Sequence, residues 1–260
     1  MPLTDFQTDI FRIIAANRNP NSYVAGGIVI HRDAASSRYS RDIDLFHDTS
    51  EAVATSATLD AEGLRQAGYQ VDFTMQEPMF YRAKIVHNGN KVLLEWAADS
   101  VFRFFPIVPD NVLGFRLHDA DAATNKVLAA AGREKVRDFI DLIHLDRTCI
   151  SLGVAIWAAS GKDDGYTPDL VIDQLRRHSR INPVSLEGVK FAHRTEAVAL
   201  KREWLDCLKA AEDLIATFPP EPLGCLYLDL KGELPRGTAF DPTWVPHYGS
   251  VKGAWPKLEE

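Results

Sequence analysis

A change of pattern near His118 is the strongest constraint on what this chain can fold into. Before it, short β-branched and apolar runs alternate with turn residues; after it, apolar residues recur at spacings of three and four. The first pattern is typical of strands, and the second buries one face of a helix. The sequence therefore predicts an α/β (α+β) protein, with a sheet-containing lobe over residues 1–115, a helical lobe over 116–220 and an extended tail over 221–260.

The first half predicts a helix at the amino terminus and then a set of short elements. The run from Tyr23 to Ile30 is β-branched, has the composition of a strand and carries a glycine pair. The later predicted elements are a strand at Asp42 to Phe46, a helix at Leu59 to Ala67 ending at Gly68, and strands at Tyr69 to Met75, Phe80 to Val86 and Lys91 to Ala97. Asn88-Gly89 favours a type I′ turn, which predicts that the last two strands form a hairpin.

The second half predicts a group of amphipathic helices. These lie at Ala120 to Ala131, Glu134 to Leu145, Pro168 to His178 and Arg194 to Thr217. One short apolar run, Cys225 to Leu230, favours an edge strand, and the last 20 residues favour an extended tail.

Composition and charge exclude several classes of protein. With 46% hydrophobic and 25% charged residues the chain is an ordinary globular protein, and a net charge of −7 argues against non-specific coating of nucleic acid. Its three cysteines are far apart and lack metal-binding spacing, which favours buried thiols in a reducing cytoplasm. Asp5 and Asp9 interrupt any secretory signal, and the longest uncharged apolar stretch, Cys149 to Ser160, is too short to span a bilayer.

Asp42 and Asp44 are the first candidates for chemistry. Residues two apart on a strand share a face, with Cα atoms about 7 Å apart, so both carboxylates can reach one metal cluster. Magnesium prefers oxygen ligands and binds through one or two carboxylates together with substrate phosphates. The pattern therefore suits a nucleoside triphosphate site, although two acids at a solvent-facing strand edge would look the same in sequence.

Polar and glycine residues around this acid pair strengthen the triphosphate interpretation. Gly26-Gly27 precedes the acids by sixteen residues, and glycine lets a phosphate approach the backbone closely. Arg38 and Ser40 come directly before the pair, and a guanidinium and a hydroxyl can bind phosphate oxygens. A tight turn and solvated loop residues are the alternatives.

Glu95 is the predicted third carboxylate of such a site. It is a lone acid in the apolar run Val92-Leu93-Leu94-Glu95-Trp96, with Asp99 as a weaker substitute. It fits a metal ligand or the base that deprotonates the acceptor hydroxyl, and equally an outward-facing strand residue.

A second cluster of charged residues lies on the predicted helices. Lys126 stands on an alanine-rich helix, and its ammonium can neutralise charge that develops on a transferred phosphate. Arg137, Asp138 and Asp141 follow, and their spacing of three and four places them on one helix face. A surface ion-pair ladder is the alternative interpretation.

Taken in order, these motifs resemble those of the AbiEii/AbiGii-type nucleotidyltransferase toxins of abortive-infection systems. The matching elements are Gly26-Gly27, Arg38-x-Ser40-x-Asp42-x-Asp44-Leu45-Phe46, Lys126, and Arg133 through Arg137-Asp138-Phe139-Ile140-Asp141-Leu142, within residues 20 to 150. That family is similar in its core to DNA polymerase β and the aminoglycoside nucleotidyltransferases. The chain departs from the family pattern at Ile28, where a small or polar residue is usual, and in the additional stretch Ala34-Ala35-Ser36-Ser37.

The resemblance implies a magnesium- and nucleotide-dependent transferase. Magnesium would be held by Asp42 and Asp44, nucleotide such as ATP would bind near Gly27, Ser40 and Lys126, and Asp138 or Asp141 would support the site. It also implies a toxin that adds nucleotides to the 3′ end of transfer RNA and is restrained by an antitoxin protein.

The acceptor is less constrained than the site. From Leu170 to Trp204, seven basic residues oppose four acidic ones, a local excess that suits RNA but also a solvated helix face. Transfer onto a small molecule such as an aminoglycoside, and a catalytically silent protein that binds nucleotide or a partner, therefore remain alternatives.

Overall fold

The computed structural model describes residues 3–33 and 36–257, which contain eight α-helices and eleven β-strands. The helices are α1 (Asp5–Ile14), α2 (Gly26–Ile30), α3 (Ser50–Gln66), α4 (Asp119–Gly132), α5 (Val136–Thr148), α6 (Leu152–Ala159), α7 (Pro168–His178) and α8 (Ala197–Ile215). The strands are β1 (Ser22–Ala25), β2 (Asp42–His47), β3 (Gln70–Glu77), β4 (Phe80–His87), β5 (Asn90–Ala98), β6 (Phe102–Arg103), β7 (Val108–Asp110), β8 (Gly114–Arg116), β9 (Leu226–Leu228), β10 (Val245–His247) and β11 (Ser250–Val251).

The chain forms two compact units. Unit 1 runs to Val101 and includes Pro106–His118, and unit 2 comprises Phe102–Phe105 and the chain from Asp119 onward. The predicted mixed α/β class is confirmed, because unit 1 is built on a sheet and unit 2 contains five of the helices found among the described residues.

Unit 1 is organised around a mixed sheet of seven described strands. Their order is β3-β4-β5-β2-β1-β8-β7. The β2/β5 and β1/β8 pairs are parallel and the other neighbours are antiparallel. Strand β2, which carries the candidate acids, therefore lies centrally, with its backbone paired to a neighbouring strand on each side.

One face of this sheet is the hydrophobic core of unit 1. Ile43 and Leu45 of β2 are fully buried there, and α3 packs against β2 and β5 while α1 packs against α3. A buried ion pair lies in the same core: Arg18 Nη2 is 2.7 Å from Asp60 Oδ2, and the Trp96 indole donates to the same carboxylate at 2.8 Å. Because an unpaired buried charge is costly, this network fixes α3 against β5.

Several sequence predictions are confirmed in unit 1. Helix α1, strand β2 and the three strands β3 to β5 lie where they were predicted. Asn88 and Gly89 have φ values of 49° and 77°, as the type I′ turn requires. Helix α3 begins nine residues earlier than predicted, after the N-cap Thr49, and Gly68 follows it with φ of 87°.

The prediction for Tyr23 to Ile30 is wrong in its second half. The strand ends at Ala25, and Gly26–Ile30 forms the short helix α2. Its β-branched residues are buried, so tertiary packing overrides their preference for strands. The stretch Ala34-Ala35 lies outside the described residues.

Unit 2 is a helical bundle with two small two-stranded sheets in its described part. Helix α4 packs against α5, α6 and α7, and α6 against α8. Helix α7 has the predicted bounds, and α8 lies within its predicted range. Helix α6 was not predicted: all its residues are apolar and buried, so its sequence shows no helical period. The predicted strand in Cys225 to Leu230 is found as β9; the segment predicted as an extended tail contributes β10 and β11, which pair with β9 and β6.

Candidate active site

The acid pair Asp42 and Asp44 lies on one face of β2. Burial alternates along the strand: Ile43, Leu45 and His47 are buried, and Asp42, Asp44 and Phe46 are partly accessible on the other face. The sequence prediction that both acids share a face is therefore confirmed. Two carboxylates on one accessible face are a donor set that magnesium accepts together with phosphate oxygens.

Gly26 lies directly against Asp44, and Gly27 lies against Ser40 and Arg38. Gly26 has φ of +65°, and a Cβ built on it would lie 2.0 Å from Asp44 Oδ2. A Cβ on Gly27 would lie 2.8 Å from Ser40 Oγ and 3.2 Å from Arg38 Nη2. A side chain on Gly26 would clash with Asp44, and one on Gly27 would displace the Ser40 hydroxyl. The backbone at the start of α2 thus lies close to three predicted phosphate- and metal-binding residues.

The loop that carries Arg38 and Ser40 is held by buried hydrogen bonds. Ser36 Oγ lies 2.8 Å from His31 Nδ1 and donates to the Arg38 carbonyl at 2.7 Å. The hydroxyl of Ser40 donates to the Asp42 carbonyl at 3.1 Å, and Gln7 Nε2 donates to the Ser40 carbonyl at 3.0 Å. These contacts position the loop beside the glycine pair.

Sequence reasoning did not identify Gln7, His31 or Ser36. All three residues are buried. No spacing in the sequence marks them, because Gln7 and Ser36 donate to backbone carbonyls, 33 residues away in the case of Gln7, and His31 bonds to the Ser36 hydroxyl.

Glu95 is aligned with the acid pair but bonded elsewhere. Its Cα is the register partner of Asp44 in the parallel β2/β5 pair, so the two side chains share a face. The Glu95 carboxylate accepts from Arg82 Nε at 2.7 Å. Over residues 3–33 and 36–257 there is no group of three or more His, Cys, Asp or Glu side chains that could hold a metal ion. Asp99, the predicted substitute, follows β5, and its N–H donates to the His47 carbonyl at 2.9 Å.

The second predicted cluster is present inside unit 2. Lys126 Nζ is 2.9 Å from Asp138 Oδ1 and 3.0 Å from Asp141 Oδ2. Arg133 donates to both Asp138 oxygens, from Nε at 2.7 Å and from Nη2 at 3.1 Å. Lys126, Asp138 and Asp141 are buried, while Arg137 is partly exposed. The alternative of a surface ion-pair ladder is therefore wrong for Lys126, Asp138 and Asp141, which form a buried cluster that the exposed Arg133 joins.

The charges of this cluster support one another. Burial on its own would raise the pKa of Asp138, but Lys126 and Arg133 outweigh that effect and hold the pKa below its ordinary value. The Asp138 carboxylate therefore stays ionised and is poorly suited to act as a base near neutral pH.

Three of the seven basic residues of the 170–204 segment are paired with acids. Arg176 bonds to Glu212, Arg180 Nε lies 3.2 Å from Glu134, and Arg194 Nη2 lies 3.0 Å from Glu196. Glu212 and Glu134 lie outside the segment, so their pairs with Arg176 and Arg180 reduce the positive excess that it presents.

No helix in the described part of the chain is long and apolar enough to cross a membrane.

A mixed seven-stranded sheet with helices, carrying an acid pair next to a glycine turn, is consistent with the nucleotidyltransferase fold. No protein-family model matches the sequence, and a search of curated proteins found no match.

Solved structures do match the chain. The protein JHP933 from Helicobacter pylori is 12% identical, with a TM-score of 0.50, over 83% of this chain and 93% of that one. This match shows a shared fold. The nucleotidyltransferase toxin MenT4 from Mycobacterium tuberculosis H37Rv is 13% identical, with a TM-score of 0.45, over 79% of this chain and 91% of that one. The Cid1 poly(U) polymerase, solved with magnesium and 3′-dATP, is 13% identical, with a TM-score of 0.32, over 78% and 68%.

Proposed function

We propose that this protein is a magnesium-dependent nucleotidyltransferase that moves a nucleoside monophosphate from a nucleoside triphosphate onto an acceptor, with RNA as the preferred acceptor. The observation that carries the proposal is the contact between Gly26 and Asp44, with Ser40 and Arg38 against Gly27. A backbone without side chains at this place lets a phosphate come close to its N–H groups, beside carboxylates that can hold a metal ion.

Each candidate site residue of unit 1 has a specific role in this proposal. Asp42 and Asp44 would hold magnesium, which neutralises charge on the phosphates and polarises the one that is attacked. The backbone at Gly26-Gly27 lets the triphosphate come close, the Ser40 hydroxyl donates to a phosphate oxygen, and the Arg38 guanidinium forms charge-assisted bonds. Two carboxylates suffice for magnesium held jointly with phosphates, so the proposal does not require Glu95.

The ion cluster of unit 2 has a supporting part. Asp138 and Asp141 hold Lys126 in place within unit 2, and a nucleotide-binding role of Lys126 and Arg137 stays a prediction. The bidentate bond of Arg133 to Asp138 favours this positioning role, because it fixes the carboxylate that fixes the lysine.

The biological role that we propose is that of a toxin-like growth regulator that modifies the 3′ end of transfer RNA and is restrained by an antitoxin protein. The order of the motifs, which resembles that of the AbiEii/AbiGii-type toxins, supports this role. Expression of the wild-type chain, but not of Asp44→Asn, is then expected to arrest growth.

The test of the activity is transfer of label. Each of the four α-labelled nucleoside triphosphates is incubated with the protein, magnesium and total transfer RNA, in parallel with Asp42→Asn and Asp44→Asn. We expect labelled RNA with the wild type and at least a 100-fold lower rate with either variant, since each removes a metal ligand. Labelling of an added aminoglycoside instead of RNA would replace the acceptor, and no transfer from any triphosphate to either acceptor would refute the proposal.

One observation favours a second candidate, a silent nucleotide-binding protein. Glu95 is engaged by Arg82 and does not join Asp42 and Asp44 in a three-acid group among the described residues. Calorimetry distinguishes the two: ATP binding that does not depend on magnesium, without any turnover, would favour the silent protein.

A further inference from the structure

Arg82 and Glu95 continue a row of side chains that begins at the acid pair. Ala25 pairs with Asp44, Asp44 with Glu95, and Glu95 with Arg82, across four adjacent strands. Residues directly opposite each other on neighbouring strands share a face. Asp44 thus has the glycine turn on its β1 side and the Glu95–Arg82 pair on its β5 side, with about 10 Å from the Cα of Asp44 to that of Arg82.

The guanidinium of Arg82 is held in place but has donors to spare. Its Nε bonds to Glu95 Oε1 at 2.7 Å, and its Cζ lies 5.1 Å from the centre of the Phe80 ring. Within residues 3–33 and 36–257 its two terminal nitrogens make no hydrogen bond, which leaves four N–H donors of the five. The side chain is 36% exposed, so these donors are accessible to a ligand.

The proposed reaction assigns the two sides of Asp44 to different substrates. In phosphoryl transfer the attacking and leaving oxygens lie roughly in line on opposite sides of the phosphorus. If the leaving phosphates lie on the side of Gly26-Gly27, the acceptor hydroxyl approaches from the side of Glu95 and Arg82. A partly exposed arginine on that side attracts an anion and repels a cation.

We propose that Arg82 binds a phosphate of the acceptor and that Glu95 is the positioning residue that holds Arg82, so that the acceptor is a nucleic acid and not a cationic aminoglycoside. This inference rests on the proposed function. It assigns Glu95 a role different from that of third metal ligand: its carboxylate orients the guanidinium through the Nε bond, and the terminal N–H groups bind the acceptor phosphate.

The experiment measures RNA binding and metal binding separately, without any need for turnover. Fluorescently labelled total transfer RNA is titrated with the wild type, Arg82→Gln and Glu95→Gln at several KCl concentrations, and Mn²⁺ binding is followed by electron paramagnetic resonance. The matched control is Arg12→Gln, because Arg12 is also an exposed arginine of unit 1, paired with Asp9.

We expect Arg82→Gln to weaken RNA binding roughly 10-fold and to lower the salt slope by about 1, since one charge-assisted phosphate contact is lost. Arg12→Gln should change neither quantity appreciably. Glu95→Gln should weaken RNA binding by a smaller factor and leave Mn²⁺ affinity unchanged. In the transfer assay, Arg82→Gln should raise KM for RNA and leave KM for the triphosphate unchanged.

Three results would overturn the inference: no binding of transfer RNA by the wild type, equal effects of Arg82→Gln and Arg12→Gln, or a loss of Mn²⁺ affinity in Glu95→Gln as large as in Asp44→Asn. The proposed function fails by a different result, the absence of nucleotide transfer by the wild type. A protein that transfers nucleotide but does not depend on Arg82 for RNA would therefore refute only the inference.

Discussion

Gly26 lies so close to Asp44 that a methyl group on Gly26 would be 2.0 Å from the carboxylate oxygen Oδ2. The same glycine has φ of +65°, which disfavours any L side chain. Two independent constraints, conformation and space, therefore require glycine at this position. The consequence is a backbone segment that contacts the candidate metal ligand without an intervening side chain.

Substitution of Gly26 should damage the site more than the fold. In Gly26→Ala the left-handed conformation costs about 1–2 kcal/mol, and Asp44 must also move. We expect affinity for ATP with magnesium to fall more than 10-fold, because the displaced carboxylate is a proposed ligand. Isothermal titration calorimetry measures this affinity, and urea unfolding measures the stability.

The control for Gly26 is Gly89→Ala. Gly89 also has positive φ, of +77°, but a Cβ there would meet no atom within 4 Å. The Gly89→Ala variant should lose a similar amount of folding stability through the positive φ and keep its affinity for ATP. If Gly89→Ala and Gly26→Ala have equal affinity for ATP, the close approach to Asp44 has no role in binding.

Lys126 should be important for the stability of unit 2. Its ammonium neutralises two buried acids, Asp138 and Asp141, at 2.9 and 3.0 Å. Lys126→Met should lower the free energy of unfolding by about 3–5 kcal/mol, because it removes the cation that Asp138 and Asp141 share in a buried site. Lys209→Met is the control, since Lys209 is 66% exposed and its pair with Asp213 should contribute less than about 1 kcal/mol. Equal losses in urea unfolding would contradict the buried cluster.

His47 should make stability depend on pH in the weakly acidic range. Burial, reinforced by Arg18, lowers the pKa of His47 to about 4, below the ordinary value of 6.5. Between these values the unfolded chain takes up a proton that the folded chain does not, so stability is lost as pH falls from 6.5 toward 4. The full loss is up to about 3 kcal/mol.

The variant His47→Gln tests this pH dependence. Urea unfolding at pH 7 and at pH 4.5 should show a smaller stability difference for the variant than for the wild type. The pKa of Asp138 is also lowered, but its contribution is lost only below the ordinary value of 3.8, outside this window. An unchanged difference in the variant would show that His47 does not cause the effect.

Local sequence signals predicted most of the fold of unit 1. The Asn88-Gly89 turn, the alternation around Asp42 and Asp44, and the glycine that ends α3 each act through neighbouring residues, so the sequence displays them. Helix α2 was taken for part of a strand because five residues are too few to show a helical period. Helix α6 was missed because it is apolar on every side.

The candidate site was predictable in its residues but not in its contacts. Gly26, Gly27, Arg38, Ser40 and Asp44 were identified in sequence, and the structure brings these five together. Pairing between distant residues could not be predicted from the sequence, because the bond of Arg82 to Glu95 depends on the register of strands β4 and β5. The burial of Lys126 between two acids depends on helix packing.

The most direct test of the account is whether Asp42 and Asp44 hold a divalent cation together with a triphosphate. Mn²⁺ is titrated in the presence of a non-hydrolysable ATP analogue and followed by electron paramagnetic resonance, for the wild type, Asp42→Asn, Asp44→Asn and the control Asp72→Asn. Asp72 is an exposed acid on β3 of the same sheet. We predict that Asp42→Asn and Asp44→Asn bind Mn²⁺ at least about 10-fold more weakly than the wild type, and that Asp72→Asn binds it like the wild type. Equal affinity in all four proteins would contradict the central claim.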